Sequence, residues 1–300
     1  MKHLKVFSIG NSFSNSVGRY FPQFVLSSGN EVEFTNAYIG GCPLSLHCEN
    51  LAKSDTDPSF RPYHCNIWKT EGNTVVSNYQ DPVETRESSL TEMLTADHYD
   101  IVTIQQASHA SWDPATYQPY AETLIARVRK DQPQAQIMVH QTWSYRSQDS
   151  RFHADWPFGQ TEMYERMDAA YRKLAETYGF LRIPTGTAVQ IARERFPFKY
   201  QKVSEELLAA YRWPDLPSQA GDVVGSMAWH RLEDGSAKIH MDNIHLNSRG
   251  DYLQGAVWLG AIFGVDPAEV DCDPKLFDDA DAAFLRKCAS DALKAEGLLS

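Results

Sequence analysis

The sequence predicts an α/β fold, a three-layer α/β/α sandwich built on a central parallel sheet. Short runs of β-branched, aliphatic and aromatic residues alternate with helix-forming stretches along the whole chain, which is the pattern of strand–helix–strand units. No internal repeat and no stretch of linker composition interrupts this alternation. Residues 1–300 are therefore expected to form a single domain, with helices on both faces of the sheet.

Each predicted strand is a short run rich in β-branched, aliphatic or aromatic residues. These strands cover residues 3–9, 31–37, 100–104, 136–143 and 180–183. Helices are predicted where apolar residues recur every three or four positions or where capping residues precede an apolar stretch. They cover residues 15–28, 44–53, 88–96, 117–130, 162–178, 187–195, 204–211, 252–263 and 275–296.

Two regions fall outside the alternation. Residues 63–68 and 74–79 flank Glu71-Gly72-Asn73, which is a hairpin signature, so residues 55–85 are predicted to be an insertion near the functional site. Its aromatic residues either shape a substrate cleft or pack the hairpin on the flank of the domain. Residues 146–160 are polar and aromatic, and they are predicted to form a loop that covers the cleft. A second hairpin signal joins residues 227–230 to residues 237–240.

Composition excludes several classes of function. The net charge of −11 argues against nucleic acid or an anionic membrane as a partner. Five cysteines without a C-x-x-C pair indicate free, mostly buried thiols, and no histidine pair has the spacing of a metal site. No phosphate-binding or dinucleotide-binding glycine fingerprint is present, so no cofactor is expected. A strand begins within a few residues of Met1 and no apolar stretch is long enough to cross a membrane, which makes the cytoplasm the default expectation.

Ser12 lies between the end of the first predicted strand and the start of the first predicted helix. Ser14, Asn15 and Ser16 are all suitable N-caps, so Ser12 is expected in a tight turn surrounded by unpaired backbone N–H groups. Gly10 lets this turn close without a Cβ atom in the way. A serine hydroxyl there can attack a carbonyl carbon while neighbouring N–H groups hold the oxyanion that forms.

Asp242 and His245 supply the base that such a serine needs. In a loop or on one helical turn, the spacing of three lets the carboxylate reach one ring nitrogen of His245 while the other faces outward. This is the base–orienter pair of a serine hydrolase. The alternative is that Ser12 is a helix cap and that Asp242 and His245 form a surface ion pair.

These two stretches resemble the SGNH (GDSL-like) hydrolase superfamily. Its first block is a Gly-Asp-Ser-type turn after the first strand and its last is Asp-x-x-His before the final helix; here they read Gly10-Asn11-Ser12 and Asp242-x-x-His245. The resemblance implies a flavodoxin-like SGNH hydrolase fold and a serine nucleophile. The chain resembles an uncharacterised bacterial branch of this superfamily that is similar to carbohydrate esterases, which implies a small-molecule or saccharide ester as substrate. The oligomeric state stays open.

The same resemblance implies an oxyanion hole. Its backbone donors would be the N–H groups of Ser12 and of Gly41, because Gly41 matches the glycine of the second block. The third block normally carries an asparagine amide, and this chain has Gln105 and Gln106 at that place. A glutamine amide carries the same donor one methylene further out, so either residue is a candidate.

Other candidate site residues lie at or just after the carboxyl ends of two predicted strands, where open α/β sheets bind ligands. Ser108 and His109 are the alternatives to the glutamine donors, and His109, His140 and Trp143 are candidate substrate-binding residues. The expected reaction is hydrolysis of a short acyl ester, most simply an acetyl group on a sugar. An acyltransferase using the same serine, a lipid or thioester hydrolase, and a sugar-binding module without catalysis are the alternatives.

Overall fold

A central sheet organises the fold, which the computed structural model describes for residues 1–72, 74–76 and 81–300. Within these residues the strands are β1 (His3–Gly10), β2 (Glu31–Tyr38), β3 (Tyr63–Glu71), β4 (Thr74–Val75), β5 (Glu84–Ser88), β6 (Ile101–Ile104), β7 (Gln136–His140), β8 (Leu181–Ile183), β9 (Val224–Arg231) and β10 (Ala237–Leu246). The α-helices are α1 (Ser12–Asn15), α2 (Phe21–Ser27), α3 (Leu44–Thr56), α4 (Leu90–Ala96), α5 (Tyr120–Asp131), α6 (Gln160–Tyr178), α7 (Thr185–Arg195), α8 (Glu205–Ala210), α9 (Ser248–Phe263) and α10 (Asp279–Ala295).

Five parallel strands form the centre of the sheet in the order β2-β1-β6-β7-β8. Numbered along the chain, these strands have the order 2-1-3-4-5, which is that of flavodoxin-like folds. Helices α2, α7, α9 and α10 pack together, and α3, α4 and α5 form a second packed group. The predicted three-layer α/β/α architecture is therefore confirmed.

The sheet extends beyond β2 by antiparallel strands. β3 pairs with β2, and β4 and β5 pair with β3. β3 and β4 form the hairpin predicted around residues 71–73, and β3 also extends the central sheet through its pairing with β2. The last residues of the predicted second hairpin strand, 77–79, lie outside the described residues.

Aromatic side chains of β3 are buried in the core rather than exposed at a cleft. The Trp68 ring stacks on Phe34 with ring centroids 5.7 Å apart, and Tyr63 donates or accepts a hydrogen bond of 2.9 Å with buried His47. Burial of a large aromatic ring stabilises the folded state by about 1.5–3 kcal/mol. These residues therefore attach the edge of the sheet to the core.

Several predicted bounds differ from the observed ones for local reasons. β7 ends at His140 rather than at residue 143, and the Gln141 N–H then donates to the Ile183 carbonyl. α5 begins at Tyr120, because Pro119 precedes it as the N-cap. α9 begins at Ser248, four residues earlier than expected, because the Asn247 side chain accepts hydrogen bonds from the first turn.

α9 is apolar on nearly all sides and lies in the core. Gly255 is required at its contact with the segment before α2, since a Cβ atom there would lie 2.8 Å from the Cβ of Tyr20 and 2.9 Å from the backbone nitrogen of Phe21. Despite the apolar character of α9, no helix in the described part of the chain has the length and hydropathy to span a membrane.

The second predicted hairpin is confirmed. β9 and β10 form a separate two-stranded antiparallel sheet, with the Trp229 and Ile239 positions paired. This hairpin leads directly into α9. We call this hairpin the β9–β10 arm. The carboxyl end of β10 joins it to the buried helix α9.

Gly18→Ala should destabilise the fold, because a Cβ atom at residue 18 would lie 2.3 Å from two ring carbons of Trp68. Overpacking of this kind costs about 1–3 kcal/mol of unfolding free energy. Gly40→Ala is the matched control, since its Cβ would only reach van der Waals contact at 3.5 Å from the Tyr38 hydroxyl. Urea unfolding measures both variants. Equal unfolding free energies would contradict the close packing of Gly18 on Trp68.

Candidate active site

The turn after β1 begins the site. Asn11 has extended backbone angles and caps α1: its Oδ1 accepts a hydrogen bond of 3.0 Å from the Phe13 N–H. The Asn11 N–H in turn donates to Ser14 Oγ at 3.1 Å, which completes a capping box. The expectation that Ser14, Asn15 or Ser16 caps the helix was wrong. Because Asn11 is the cap, Ser12 is the first residue of the helix, and the helical pattern leaves its N–H without an intrahelical acceptor.

Gly10 is needed where it stands. A Cβ atom at this position would lie 2.1 Å from Ser14 Oγ, so a larger residue would displace the capping side chain. Gly10 also pairs in register with Tyr38 at the end of β2. The turn after β1 and the turn after β2 therefore lie side by side at the carboxyl edge of the sheet.

Ser12, His245 and Asp242 come together although they lie at opposite ends of the chain. The Ser12 Oγ atom is 2.9 Å from His245 Nε2, and His245 Nδ1 is 2.7 Å from Asp242 Oδ2. An ionised carboxylate only accepts hydrogen bonds, so Nδ1 carries the proton in neutral His245. Nε2 then presents its lone pair to the serine hydroxyl, which is the arrangement that a general base requires.

Asp242 is held as an anion. Partial burial by itself would raise its pKa, but hydrogen bonds to the carboxylate outweigh this effect and hold the pKa of Asp242 well below its usual range. They come from the His245 side chain and from the backbone N–H groups of Ile244 and His245, the last two at 2.7 and 3.0 Å from Oδ1. The carboxylate is thus fixed in orientation on both oxygens.

Both residues lie within β10 rather than in a loop or on a helical turn. Regular pairing with β9 ends at Asp242, opposite Ser226, and resumes only at Leu246, opposite Val224. Residues three apart on a regular strand point to opposite faces, so their side chains would not meet. The irregularity between Asp242 and Leu246 is what brings the carboxylate and the imidazole together.

The segment after β7 supports this irregular strand. The Arg146 N–H donates to the Asn243 carbonyl at 2.8 Å, and Trp143 Nε1 donates to the Ile244 carbonyl at 2.9 Å. The buried Arg146 guanidinium donates to the Gly225 carbonyl at 2.8 Å. Sequence reasoning missed Arg146, and the signal that points to it, a buried arginine, becomes visible only in the folded chain.

Trp143 has a different place from the one expected. Its ring is buried and stacks on Phe13 with centroids 3.9 Å apart and planes 2° from parallel. Phe13 in turn contacts the His245 ring edge-on at 5.7 Å. The expectation that Trp143 binds substrate is therefore not supported; through Phe13, Trp143 joins the turn that carries Ser12 to His245.

His140 is also buried, at the end of β7, with Nδ1 2.6 Å from Gln105 Oε1. Burial lowers the pKa of His140 to about 3, so its ring is neutral at ordinary pH. A fully buried side chain cannot contact a substrate, so this expectation is not supported either. The His109 side chain reaches the solvent but is also partly surrounded by protein. This partial burial and the positive charge of Arg151 lower the pKa of His109.

The two glutamines are directed into the protein. Gln105 Nε2 donates to Asn11 Oδ1 at 2.9 Å. Gln106 Nε2 donates to the carbonyl and hydroxyl oxygens of Thr116, and its Oε1 accepts from the Leu44 N–H. These contacts do not support either amide as an oxyanion donor. Among the alternatives, the Ser108 hydroxyl is 2.8 Å from that of Tyr145.

Gly41 lies at the tip of the turn after β2. It is exposed, and its φ of +63° lies in the left-handed region that favours glycine. Because β2 is the immediate neighbour of β1, this turn is beside the turn that carries Ser12. Gly41 is thus in the neighbourhood that the sequence prediction requires.

Residues 146–160 form a loop, as expected, but its aromatic side chains pack on one another. Phe152 and Phe158 are buried, and Trp156 stacks on Phe158 with centroids 5.7 Å apart. Trp112 contacts Phe158 edge-on at 5.0 Å.

Within the described residues, no group of three or more His, Cys, Asp or Glu side chains is placed to hold a metal ion.

Comparison with solved structures identifies relatives of the whole chain. A DUF4886 family protein from Bacteroides uniformis aligns over 99% of this chain and 97% of its own, with 24% identity and a TM-score of 0.75. A protein from Slackia heliotrinireducens, provisionally described as an SGNH hydrolase, aligns over 85% and 96% with 16% identity and a TM-score of 0.45. A provisionally described GDSL-like lipase from Parabacteroides merdae aligns over 86% and 94% with 11% identity and a TM-score of 0.46.

A comparison with curated proteins gives no match to this chain. The order of the parallel strands agrees with the flavodoxin-like fold that the resemblance to the SGNH (GDSL-like) superfamily implies. At the family level, the model of DUF4886, a domain of unknown function, matches residues 5–201. Since this match covers more than half of the chain, the protein belongs to the DUF4886 family.

Proposed function

We propose that the protein is a serine esterase of the SGNH type, with Ser12 as nucleophile, His245 as base and Asp242 as orienter. The observation that carries the proposal is the pair of hydrogen bonds from Ser12 Oγ to His245 Nε2 and from His245 Nδ1 to Asp242 Oδ2. If Ser12 only capped a helix and Asp242 and His245 only formed a surface ion pair, hydrogen bonds would not need to link all three side chains. The geometry therefore favours catalysis over the purely structural alternative.

The proposed reaction has two halves. Ser12 Oγ attacks the ester carbonyl carbon as its proton passes to His245 Nε2, and the tetrahedral intermediate collapses when His245 returns that proton to the departing alcohol. A water molecule then loses a proton to His245 and attacks the acyl-serine, which releases the carboxylic acid and restores the serine hydroxyl. Asp242 stays ionised and stabilises the imidazolium that forms in each half.

Backbone N–H groups are the proposed oxyanion donors. Ser12 is the first residue of α1, so its N–H has no acceptor within the helix. The Gly41 N–H belongs to the neighbouring exposed turn. Preorganised donors of this kind contribute roughly 2.7–4 kcal/mol each to transition-state stabilisation. We leave the third, side-chain donor of the superfamily pattern unassigned, because the amides of Gln105 and Gln106 bond elsewhere.

A short acyl group on a sugar is the proposed substrate. His245 is 47% exposed and the Gly40–Gly41 turn is also exposed, which suits an ester carried on a bulky, hydrated molecule. Tyr38 and His64 pair in register and their rings lie 6.2 Å apart beside this turn, with His64 exposed. Such rings can stack on the apolar face of a sugar. Transfer of the acyl group to a sugar hydroxyl instead of water uses the same residues.

Ser12→Ala should lower kcat for p-nitrophenyl acetate by about 10⁴-fold or more, because it removes the nucleophile. Ser16→Ala is the matched control: its hydroxyl also lies near the start of the chain but bonds to Phe13 and Gln254, away from His245. The control should retain nearly all activity. Wild-type kcat in Ser12→Ala, or full activity loss in both variants with intact folding, would contradict the proposal.

The pH profile should show one ascending step. Because the pKa of Asp242 is held well below its usual range, this carboxylate remains ionised throughout the range in which an imidazole titrates. A histidine accepts the serine proton only when neutral, so kcat/KM should fall when the pH is lowered far enough to protonate the base. Stopped-flow or steady-state kinetics from about pH 5 to 8 measure it, with circular dichroism as a check on folding. A flat profile would exclude a histidine base.

Acyl-chain preference tests the substrate. We expect kcat/KM to fall from p-nitrophenyl acetate to butyrate and octanoate, and acetylated oligosaccharides to be hydrolysed. His64→Ala should raise KM for the oligosaccharide but not for p-nitrophenyl acetate. His230→Ala, an exposed histidine on the β9–β10 arm that stacks on His240, is the control. Activity that increases with chain length, with acetylated sugars untouched, would favour a lipid or thioester substrate.

A further inference from the structure

A buried chain of hydrogen bonds runs behind the nucleophile turn from Asn11 through Gln105 to His140. Gln105 Nε2 lies 2.9 Å from Asn11 Oδ1, and Gln105 Oε1 lies 2.6 Å from His140 Nδ1. All three side chains are at most 2% exposed. They come from three adjacent segments: the turn after β1, the residue after β6 and the last residue of β7.

The backbone fixes the direction of every bond in this chain. Asn11 Oδ1 must be an acceptor, because it receives the Phe13 N–H at 3.0 Å. The Gln105 atom that faces it must therefore be the amide nitrogen, so the carbonyl oxygen of Gln105 faces His140. A carbonyl oxygen can only accept, so the proton of neutral His140 is on Nδ1. One backbone N–H thus determines the tautomer of a histidine two side chains away.

This arrangement is costly if its only purpose is to fill the core. The Nε2 atom of His140 is buried without a hydrogen-bond partner in the described part of the chain, and the ring packs edge-on against Trp258 at 5.0 Å. A buried polar atom without a partner costs about 1–3 kcal/mol. The same ring supplies, through Nδ1, the donor that Gln105 Oε1 receives, so the histidine serves the hydrogen-bond chain while its Nε2 stays unpaired within the described residues.

We propose that Gln105 and His140 are positioning residues that act on Ser12 through Asn11. Asn11 Oδ1 receives one donor from the backbone and one from Gln105, and Asn11 Nδ2 donates to the Cys42 carbonyl at 3.3 Å, so Gln105 supplies the second donor that holds the acceptor oxygen of the cap. The cap sets the start of α1 and thus the direction in which Ser12 presents its hydroxyl to His245. This inference rests on the proposed esterase function, because it concerns the geometry of its nucleophile.

His140 provides a test in which positioning and packing give opposite results. In His140→Asn, the amide nitrogen can take the place of Nδ1 and donate to Gln105 Oε1. In His140→Leu, the site is filled by an apolar group that donates nothing. Positioning predicts that His140→Asn keeps kcat within about threefold of wild type and that His140→Leu loses roughly 10- to 100-fold with little change in KM. A merely structural histidine predicts at least equal activity for His140→Leu.

Gln105→Leu should reproduce the kcat loss of His140→Leu. Its matched control is Gln132→Leu: Gln132 is also a buried glutamine with several hydrogen bonds, including those to Tyr99 and Leu94, but it lies at the end of α5, far along the chain from the turn. Thermal unfolding confirms that each variant is folded at the assay temperature. Equal kcat in Gln105→Leu and Gln132→Leu would overturn the proposal.

A spectroscopic measurement separates this proposal from the esterase function itself. If wild-type protein hydrolyses no ester and its Ser12 does not react with a fluorophosphonate probe, the proposed function fails. The hydrogen-bond chain is still tested by the ¹⁵N–¹H correlation spectrum of the His140 imidazole. We expect a protonated Nδ1 and an unprotonated Nε2, both unchanged from about pH 5 to 8. A proton on Nε2, or a ring that titrates in this range, would overturn the inference.

Discussion

The side-chain oxygen of Asn11 accepts the Phe13 N–H in the first turn of α1, and the geometry of the site depends on this hydrogen bond. The bond makes Ser12 the first helical residue, so the serine hydroxyl projects from a turn whose backbone is fixed on both sides. Gly10 permits the turn because a Cβ atom there would collide with Ser14 Oγ. A capping interaction worth only about 1 kcal/mol in an ordinary helix thus has a positional role that exceeds its contribution to stability.

The other half of the site depends on a departure from regular pairing. Asp242 and His245 meet because β10 leaves its register opposite β9 for a few residues. Backbone groups freed in this way need partners, and Trp143 and Arg146 supply donors to two of the carbonyls. Sheet irregularities are frequent next to active sites, where they redirect a side chain that a regular strand would point elsewhere.

The sequence was sufficient for the fold and for expecting Ser12, Asp242 and His245 to lie together, but not for the residues around them. Strand and helix patterns depend on neighbouring residues, and the Ser12 and Asp242–His245 motifs can be recognised from residue type and spacing alone. The role of Gln105 depends on Asn11 and His140, which are distant in sequence, so residue type alone suggested a free amide donor. Trp143 likewise resembled a cleft aromatic until its contact with Phe13 showed it to be buried.

The edge of the sheet shows the same limit. The hairpin of β3 and β4 is visible in the sequence, but nothing local shows that β3 also pairs with β2 and extends the central sheet. That pairing and the burial of Trp68 against Phe34 are tertiary contacts.

The hydrogen bond between Ser12 and His245 joins residues 233 positions apart. In the proposed mechanism His245 activates Ser12, so a growing chain carries an unactivated serine until most of the domain has been made. A break anywhere between α1 and β10 that lets the two parts separate would return the serine to that state. Reactivity of Ser12 toward an electrophile would then report that the first and last parts of the chain have assembled, as a marker of completed folding.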